Sequence, residues 1–391
     1  MENLEIRFPE QQFVKTKSNN GNQERNKNAN IKIIGVGGAG TNAVSRMVMA
    51  NITGVQLYAV NTDIGSLKKS SADTKVSIGT GLGVGGDPIK GERYAEESLD
   101  KFRDMLQGAD MVFITTGMGG GTGTGAAPII ARVAREMDQN LKKIGKPGIL
   151  IVGVVTRPFS AEGPVRVSNA NKGIANLREY TDALIIIPND KLFSSLIDER
   201  THYEQGFAFI DDVLRRAIES ITDTITKTGI INIDFADIQD VLSGAGSAII
   251  GLGDGKTLEE AFKNAITNKF VEGDDITESS KLLVNISYSN NSSFNVGDVK
   301  KIYDYIPKEF KHYESLKVGH IINDDLDTKI RVSIIASFKK TEEKEKINND
   351  LFDDAKDREK EEEQQQQQIQ NEENADVFAR PAYEIHRPTK L

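Results

Sequence analysis

"GMGGGTGTG", residues 117–125, follows the apolar run "DMVFITT" at 110–116 and puts six glycines and two threonines into nine positions. A core strand gains nothing from so bare a stretch, because each glycine forfeits side-chain packing and carries extra backbone entropy. Such clusters instead let successive backbone N–H groups approach an anion and form a concave nest for it. The threonine hydroxyls can donate further hydrogen bonds to phosphate oxygens. The run then opens into "AAPIIARVA" at 126–134, a helix whose N-terminus favours negative charge.

Two more glycine clusters repeat the pattern. "GVGGAGTNAV" at 35–44 directly follows the strand-like "IKII", and Gly35, Gly37 and Gly40 satisfy G-x-G-x-x-G. Asp63 closes "VNTD" about twenty residues on, as a dinucleotide-binding fold requires. Taken alone, this cluster predicts an NAD(P)-dependent oxidoreductase, or a tight strand-to-helix turn with no ligand. The third cluster, "GLGVGGDP" at 81–88, also precedes a helix. A dinucleotide needs one phosphate loop; three converging loops suit a longer polyanion such as a triphosphate. "GLGDGKT" at 251–257 resembles a P-loop but is one residue short, and is set aside.

Around these loops, apolar strand-like runs at 31–36, 55–60, 109–116, 148–155 and 182–188 alternate with helical patterns near 40–50, 90–106, 126–139 and 165–178. Continuous apolar strands separated by helices predict an α/β fold, with a doubly wound parallel sheet covered on both faces. Next comes "GFAFIDDVLRRAIESITDTITKTG" at 206–229, with Ile210, Val213, Leu214, Ala217, Ile218, Ile221 and Ile225 at three- and four-residue spacing. That spacing predicts one long amphipathic helix. Strand-like "KLLVNISYS" and "IRVSIIASF", with helices near 257–268 and 296–308, predict a smaller α+β domain beyond it.

The chain has 391 residues, 38% of them hydrophobic, and no cysteine, which excludes disulfides and thiolate metal sites and suits a reducing, cytoplasmic setting. The N-terminal stretch lacks the apolar core of a secretory signal, and no apolar run reaches the eighteen or more residues that a membrane span needs. Residues 341–378 hold fourteen Asp/Glu against five Lys/Arg, equal to the net charge of −9 of the whole chain. The remainder is near neutral, which argues against a nucleic-acid partner. The expected organisation is therefore an arm at 1–30, a nucleotide domain at 31–205, a central helix at 206–230, a C-terminal domain at 231–339, a disordered acidic, Gln-rich linker at 340–378, and a basic docking peptide at 379–391.

"GGGTGTG" at 119–125, with "IGVGGAGTNAV", "AVNTD", "VVTRPF", "IPND" and "NIDFAD", resembles the FtsZ family of tubulin-like bacterial cell-division GTPases, over roughly residues 31–338. The resemblance implies a tubulin-like fold, a GTP/GDP substrate with Mg²⁺, head-to-tail polymerisation of the chain with itself, and a ring at mid-cell. It implies that Gly37, Gly38, Ala39, Gly40, Thr41 and Asn42 line the first phosphate loop, and that Gly85 belongs to the third. Gly119, Gly120, Gly121, Thr122 and Gly123 would hold the α- and β-phosphates, Glu162 and Arg166 the ribose and a nearby phosphate or base. Phe207 would stack on guanine, and Asp211 would accept from its N1 and N2 donors. Asp87 stands where the family commonly carries Asn, a carboxylate able to repel phosphate or to help hold Mg²⁺. The end of the chain, "RPAYEIHR", would dock on a membrane anchor such as the actin-like FtsA, with no direct insertion into the membrane.

The same resemblance makes Asn232, Asp234 and Asp237 of "NIDFAD" the catalytic residues. By residue type alone, they serve equally well as caps of the helix that follows. Asp234 lies 23 residues after Asp211, and a helix between them spans roughly 35 Å. Nucleotide and acidic cluster then lie at opposite ends of one molecule and meet only between subunits. A nucleotide-binding assembly protein that does not hydrolyse is the remaining alternative.

Overall fold

The five apolar runs are the inner strands of one sheet. A computed structural model of the chain describes residues 29–196, 203–227, 229–231, 233–267, 275–292, 294–327 and 329–338. In chain order the strands are β1 (Ile31–Val36), β2 (Val55–Asn61), β3 (Thr74–Ser77), β4 (Met111–Gly117), β5 (Leu150–Arg157), β6 (Ala183–Pro188), β7 (Gly229–Ile231), β8 (Gly246–Gly255), β9 (Lys281–Tyr288), β10 (Ser315–Ile322) and β11 (Ile330–Ser337). They form a single sheet in the order β3-β2-β1-β4-β5-β6-β8-β11-β9-β10-β7. The first six run parallel, and their order reverses direction between β1 and β4. That is the topological switch point at which doubly wound sheets bind ligands. The rest of the sheet is mixed: β11 is antiparallel to β8 and β9, and β10 is parallel to β9.

The helices are α1 (Gly37–Met49), α2 (Ile64–Lys69), α3 (Pro88–Glu96), α4 (Leu99–Leu106), α5 (Thr122–Lys143), α6 (Pro164–Tyr180), α7 (Asn189–Leu196), α8 (Tyr203–Thr226), α9 (Phe235–Leu242), α10 (Leu258–Thr267) and α11 (Val296–Glu309). Alternation along the strands divides the core. Ile31 and Ile33 of β1 pack with α1, α8 and α9, while Ile34 and Val36 face α3, α4, α5 and α6. No helix among the described residues is long and apolar enough to cross a membrane.

The structure refines the sequence reading in four places. The helix expected near 90–106 is two, broken at Glu97–Ser98. The helices expected near 40–50 and 126–139 begin at Gly37 and Thr122, so the glycine runs themselves supply their first turns. The central helix runs Tyr203–Thr226, three residues earlier at each end than the stretch read for it. Strands β3, β7, β8 and β10 were not expected.

Strand β8 explains the false phosphate motif. Glycines 251, 253 and 255 alternate on one face of the strand, where a Cβ would strike the backbone of Ala261 or Ala265 in α10. "GLGDG" is thus a smooth strip on which a helix lies, not an anion loop. The expected arm at 1–30 falls almost entirely, and the linker and terminal peptide wholly, outside the described residues.

Candidate nucleotide cleft and acidic loop

An open cleft of about 390 Å³ lies at the ends of β1 and β4, within the range of small-molecule sites. Gly37, Gly38 and Ala39 form one wall, Gly83 to Gly86 another, and Gly120, Gly121, Thr122 and Gly123 the floor between them. Helices α1 and α5 both begin at these residues, and neither has an acidic residue in its first turn. Their first-turn N–H groups have no partner within the helix and carry the positive end of its dipole. The cleft is therefore an anion site built mainly from backbone.

The two threonines of the central loop do different work. Thr122 lines the cleft and shares a 2.6 Å hydroxyl contact with Thr62. Thr124 Oγ1 accepts from the Gly119 N–H at 2.9 Å, bracing the loop from behind. Four residues expected on the wall stand behind it as well. Gly40 packs against the Thr115 carbonyl, and Gly119, at φ +95°, against the backbone of Arg166. Thr41 is buried, and its hydroxyl has no partner among the described residues. Asn42 sits beside Asp211 and opposes the rise of its carboxyl. Asp87 is not on the cleft wall either. Its carboxylate caps α3, accepting from the N–H groups of Ile89 (2.9 Å) and Lys90 (3.3 Å).

The rim carries the side-chain chemistry. Asp211, on α8, lines the cleft with its side chain only 12% exposed, and Arg46 Nε lies 3.8 Å away. Burial pushes its carboxyl up to about 6, against the opposing pull of Arg46 and Asn42. Arg166 ion-pairs with Glu162 one helical turn away, and Glu162 also accepts from the Phe159 N–H at 2.9 Å. That pair presents a guanidinium whose charge is largely offset. The side chain of Phe207, and all of Asn232, lie outside the described residues. Sequence reasoning assigned no role to Asn189, a cleft residue whose buried Oδ1 has no partner among the described residues. Its signal was its place at the end of an apolar strand, in "IPND".

Asp234 and Asp237 do not line this cleft. Between Asp211 and the end of α8 at Thr226 lies about 22 Å of helix, shorter than the span expected because α8 stops before the loop begins. Asp234 caps α9, accepting from the Asp237 N–H at 2.8 Å, and Asp237 accepts from the Asp234 N–H in return. Lys317 Nζ sits 2.7 Å from Asp237 Oδ1 and holds that carboxyl below its usual range.

Comparison with known proteins fits this layout. Residues 30–196 match the model of the Tubulin/FtsZ family GTPase domain, and residues 246–338 that of the FtsZ family C-terminal domain. A solved FtsZ dimer from M. jannaschii is 35% identical, covering 80% of this chain and 88% of that one, with a TM-score of 0.70. The chain belongs to the Tubulin/FtsZ family. This FtsZ-family chain is a GTPase with a tubulin-like fold, which sets aside the oxidoreductase reading of its first glycine cluster and the non-hydrolysing one. CetZ from Methanosaeta thermophila, at 20% identity and a TM-score of 0.63, covers 90% of this chain and 100% of its own. CetZ2 from Haloferax volcanii, solved as a GTPgS-bound protofilament, is 19% identical, covering 84% and 99%, with a TM-score of 0.65. These two share the fold.

Proposed function

We propose that this chain polymerises head to tail, each subunit's acidic loop completing the GTPase site of its neighbour, and that the polymer forms the cytoplasmic mid-cell division ring. One observation carries the reading: cleft and acidic loop lie at opposite ends of α8, so one molecule does not bring them together. A head-to-tail contact of this kind need not close and generates filaments. An FtsZ solved as a dimer, at 35% identity, supports self-assembly. The higher identity to FtsZ favours division over other tubulin-like roles.

In this mechanism the glycine loops and the N-termini of α1 and α5 hold the phosphates. Thr122 orients them, and Asp211 and Phe207 select guanine. Asn232, Asp234 and Asp237 of the next subunit orient or polarise the attacking water. A Mg²⁺ bound with the phosphates would find the Thr62 and Thr122 hydroxyls and the Asp63 carboxylate as donors on the wall. Bound there, the ion would neutralise charge that develops on the phosphates.

Asp237→Ala is expected to bind GTP normally while phosphate release falls by a factor on the order of 10² or more. Mixed with wild type, it lowers release per wild-type subunit, because each variant leaves one neighbour's GTP unserved. Full-rate hydrolysis by a monomer barred from assembly would refute the split site. The peptide at 379–391 is assigned to a membrane-anchoring partner such as FtsA. Its deletion should spare GTP-driven assembly in vitro and abolish recruitment to the membrane.

A further inference from the structure

The segment that carries the acidic cluster, a short loop running into α9, rests on one face of β10. Ser315, Lys317 and Gly319 alternate along that strand and share the face, and each meets the segment at a different point. Ser315 Oγ donates to Asp240 Oδ2 at 3.2 Å. Lys317 Nζ reaches Asp237 Oδ1. Gly319 leaves room for the side chain of Ile233, which a Cβ there would strike. Lys281, on β9 opposite Ser315, adds an ion pair to Asp240 at 2.8 Å. The sheet thus aims two ammonium groups at three carboxylates, Asp234, Asp237 and Asp240, that fall within seven residues. Lys317 also feels all three acids, which favour its charged form.

Three carboxylates do not approach a triphosphate without cost, since like charges repel in a water-poor contact. A carboxylate free to rotate also spends little time in the orientation that activates water. We propose that Lys317 is a positioning residue for GTP hydrolysis: it fixes the Asp237 carboxylate in one orientation and offsets the charge of the loop as that loop meets the neighbouring subunit's nucleotide. This role rests on the split site proposed above. The competing reading is an ordinary ion pair on the surface, which contributes little to anything.

The test uses the full chain, with Lys317→Met to keep the stem and remove the charge, and Lys317→Arg to keep the charge. GTP affinity is measured on dilute monomer, assembly by sedimentation, and phosphate release per sedimented subunit. In Lys317→Met, GTP affinity should be unchanged and release per assembled subunit should fall by about tenfold or more. Lys317→Arg should restore most of it. If Lys317→Met does not sediment alone, copolymers with excess wild type report the same loss as reduced release per wild-type subunit. Unchanged turnover in Lys317→Met, or an equal loss in Lys317→Arg, overturns the proposal. Asp237→Ala in parallel separates the two failures. Normal turnover there sinks the split site itself; lost turnover there beside normal turnover in Lys317→Met sinks only the role of Lys317.

Discussion

At the Asp211 end of α8 the surface offered to a ligand is mostly backbone, laid out by three glycine loops and two helix N-termini. At the Thr226 end the surface proposed to meet the next subunit's nucleotide is side chain: Asp234 and Asp237 capping α9, with Lys317 against Asp237. The difference decides how each end responds to change. A site made of backbone is coupled to the fold, so an added methyl there damages structure and binding together. A site made of partly exposed side chains can be altered at the cost of little more than a helix cap, and its loss appears mainly in chemistry.

The sharpest way to break this contrast is Gly123→Ala. A Cβ at Gly123 would strike Thr116 Oγ1, the hydroxyl that donates to the Val36 carbonyl at 2.8 Å and ties β4 to β1. The variant should lose about 1–3 kcal/mol of stability from overpacking and bind GTP about a hundredfold more weakly. An unchanged melting temperature would show that the floor yields more than its packing implies.

Asp211→Ala comes next, as the exception at the backbone end. Loss of a charged acceptor for guanine should weaken GTP binding by about 1.5–3 kcal/mol and erode discrimination against ATP. The ligand-free protein should melt no earlier, since a carboxyl raised by burial costs stability when ionised. Equal affinity in a nucleotide titration would make Asp211 an ordinary solvated helix residue.

A smaller effect follows from pH. With its carboxyl at about 6, Asp211 in its proposed role would accept from guanine only above that value. GTP affinity should therefore decline as pH falls through 6, approaching about tenfold per pH unit below it. Asp211→Asn should flatten the profile; a wild-type profile that is already flat from pH 5 to 8 contradicts the assignment.

The smallest effect is expected at Asp87→Ala. Removing the cap of α3 should cost about 1 kcal/mol of stability, with GTP affinity nearly unchanged because the carboxylate faces the helix end and not the cleft.

Much of this was legible in the sequence where a strong local signal matched its structural use. The parallel half announced itself through uninterrupted apolar strands, and the cleft through glycine runs set immediately after two of them, β1 and β4. Strand β10 stayed hidden because Lys317 and His320 break its apolar pattern, and Lys317 is there to meet Asp237, distant in the chain. Strand β8 stayed hidden because its alternating glycines serve a helix that lies on them. Gly40 and Gly119 were read as ligand contacts by position in a motif, yet their bareness serves packing behind the wall. No one-dimensional pattern distinguishes a glycine that admits a phosphate from one that admits a neighbouring chain.

The two family matches leave residues 197–245 between them, and the described part of α8 lies wholly in that gap. Yet a single hydrophobic cluster joins Ile33 and Val152 on one side to Leu252 and Val284 on the other through Val213, Leu214, Ala217, Ile218 and Ile221 of α8. The backbone joint across the same line is slight, with only Ala183 and Leu184 of β6 in register with Gly246 and Ser247 of β8. What binds the halves is therefore a shared oily spine more than a shared ladder. Cut at the boundaries of the matches, either half would expose the apolar face that α8 covers. In calorimetry the intact chain should therefore melt as one cooperative unit, in which family boundaries leave no trace.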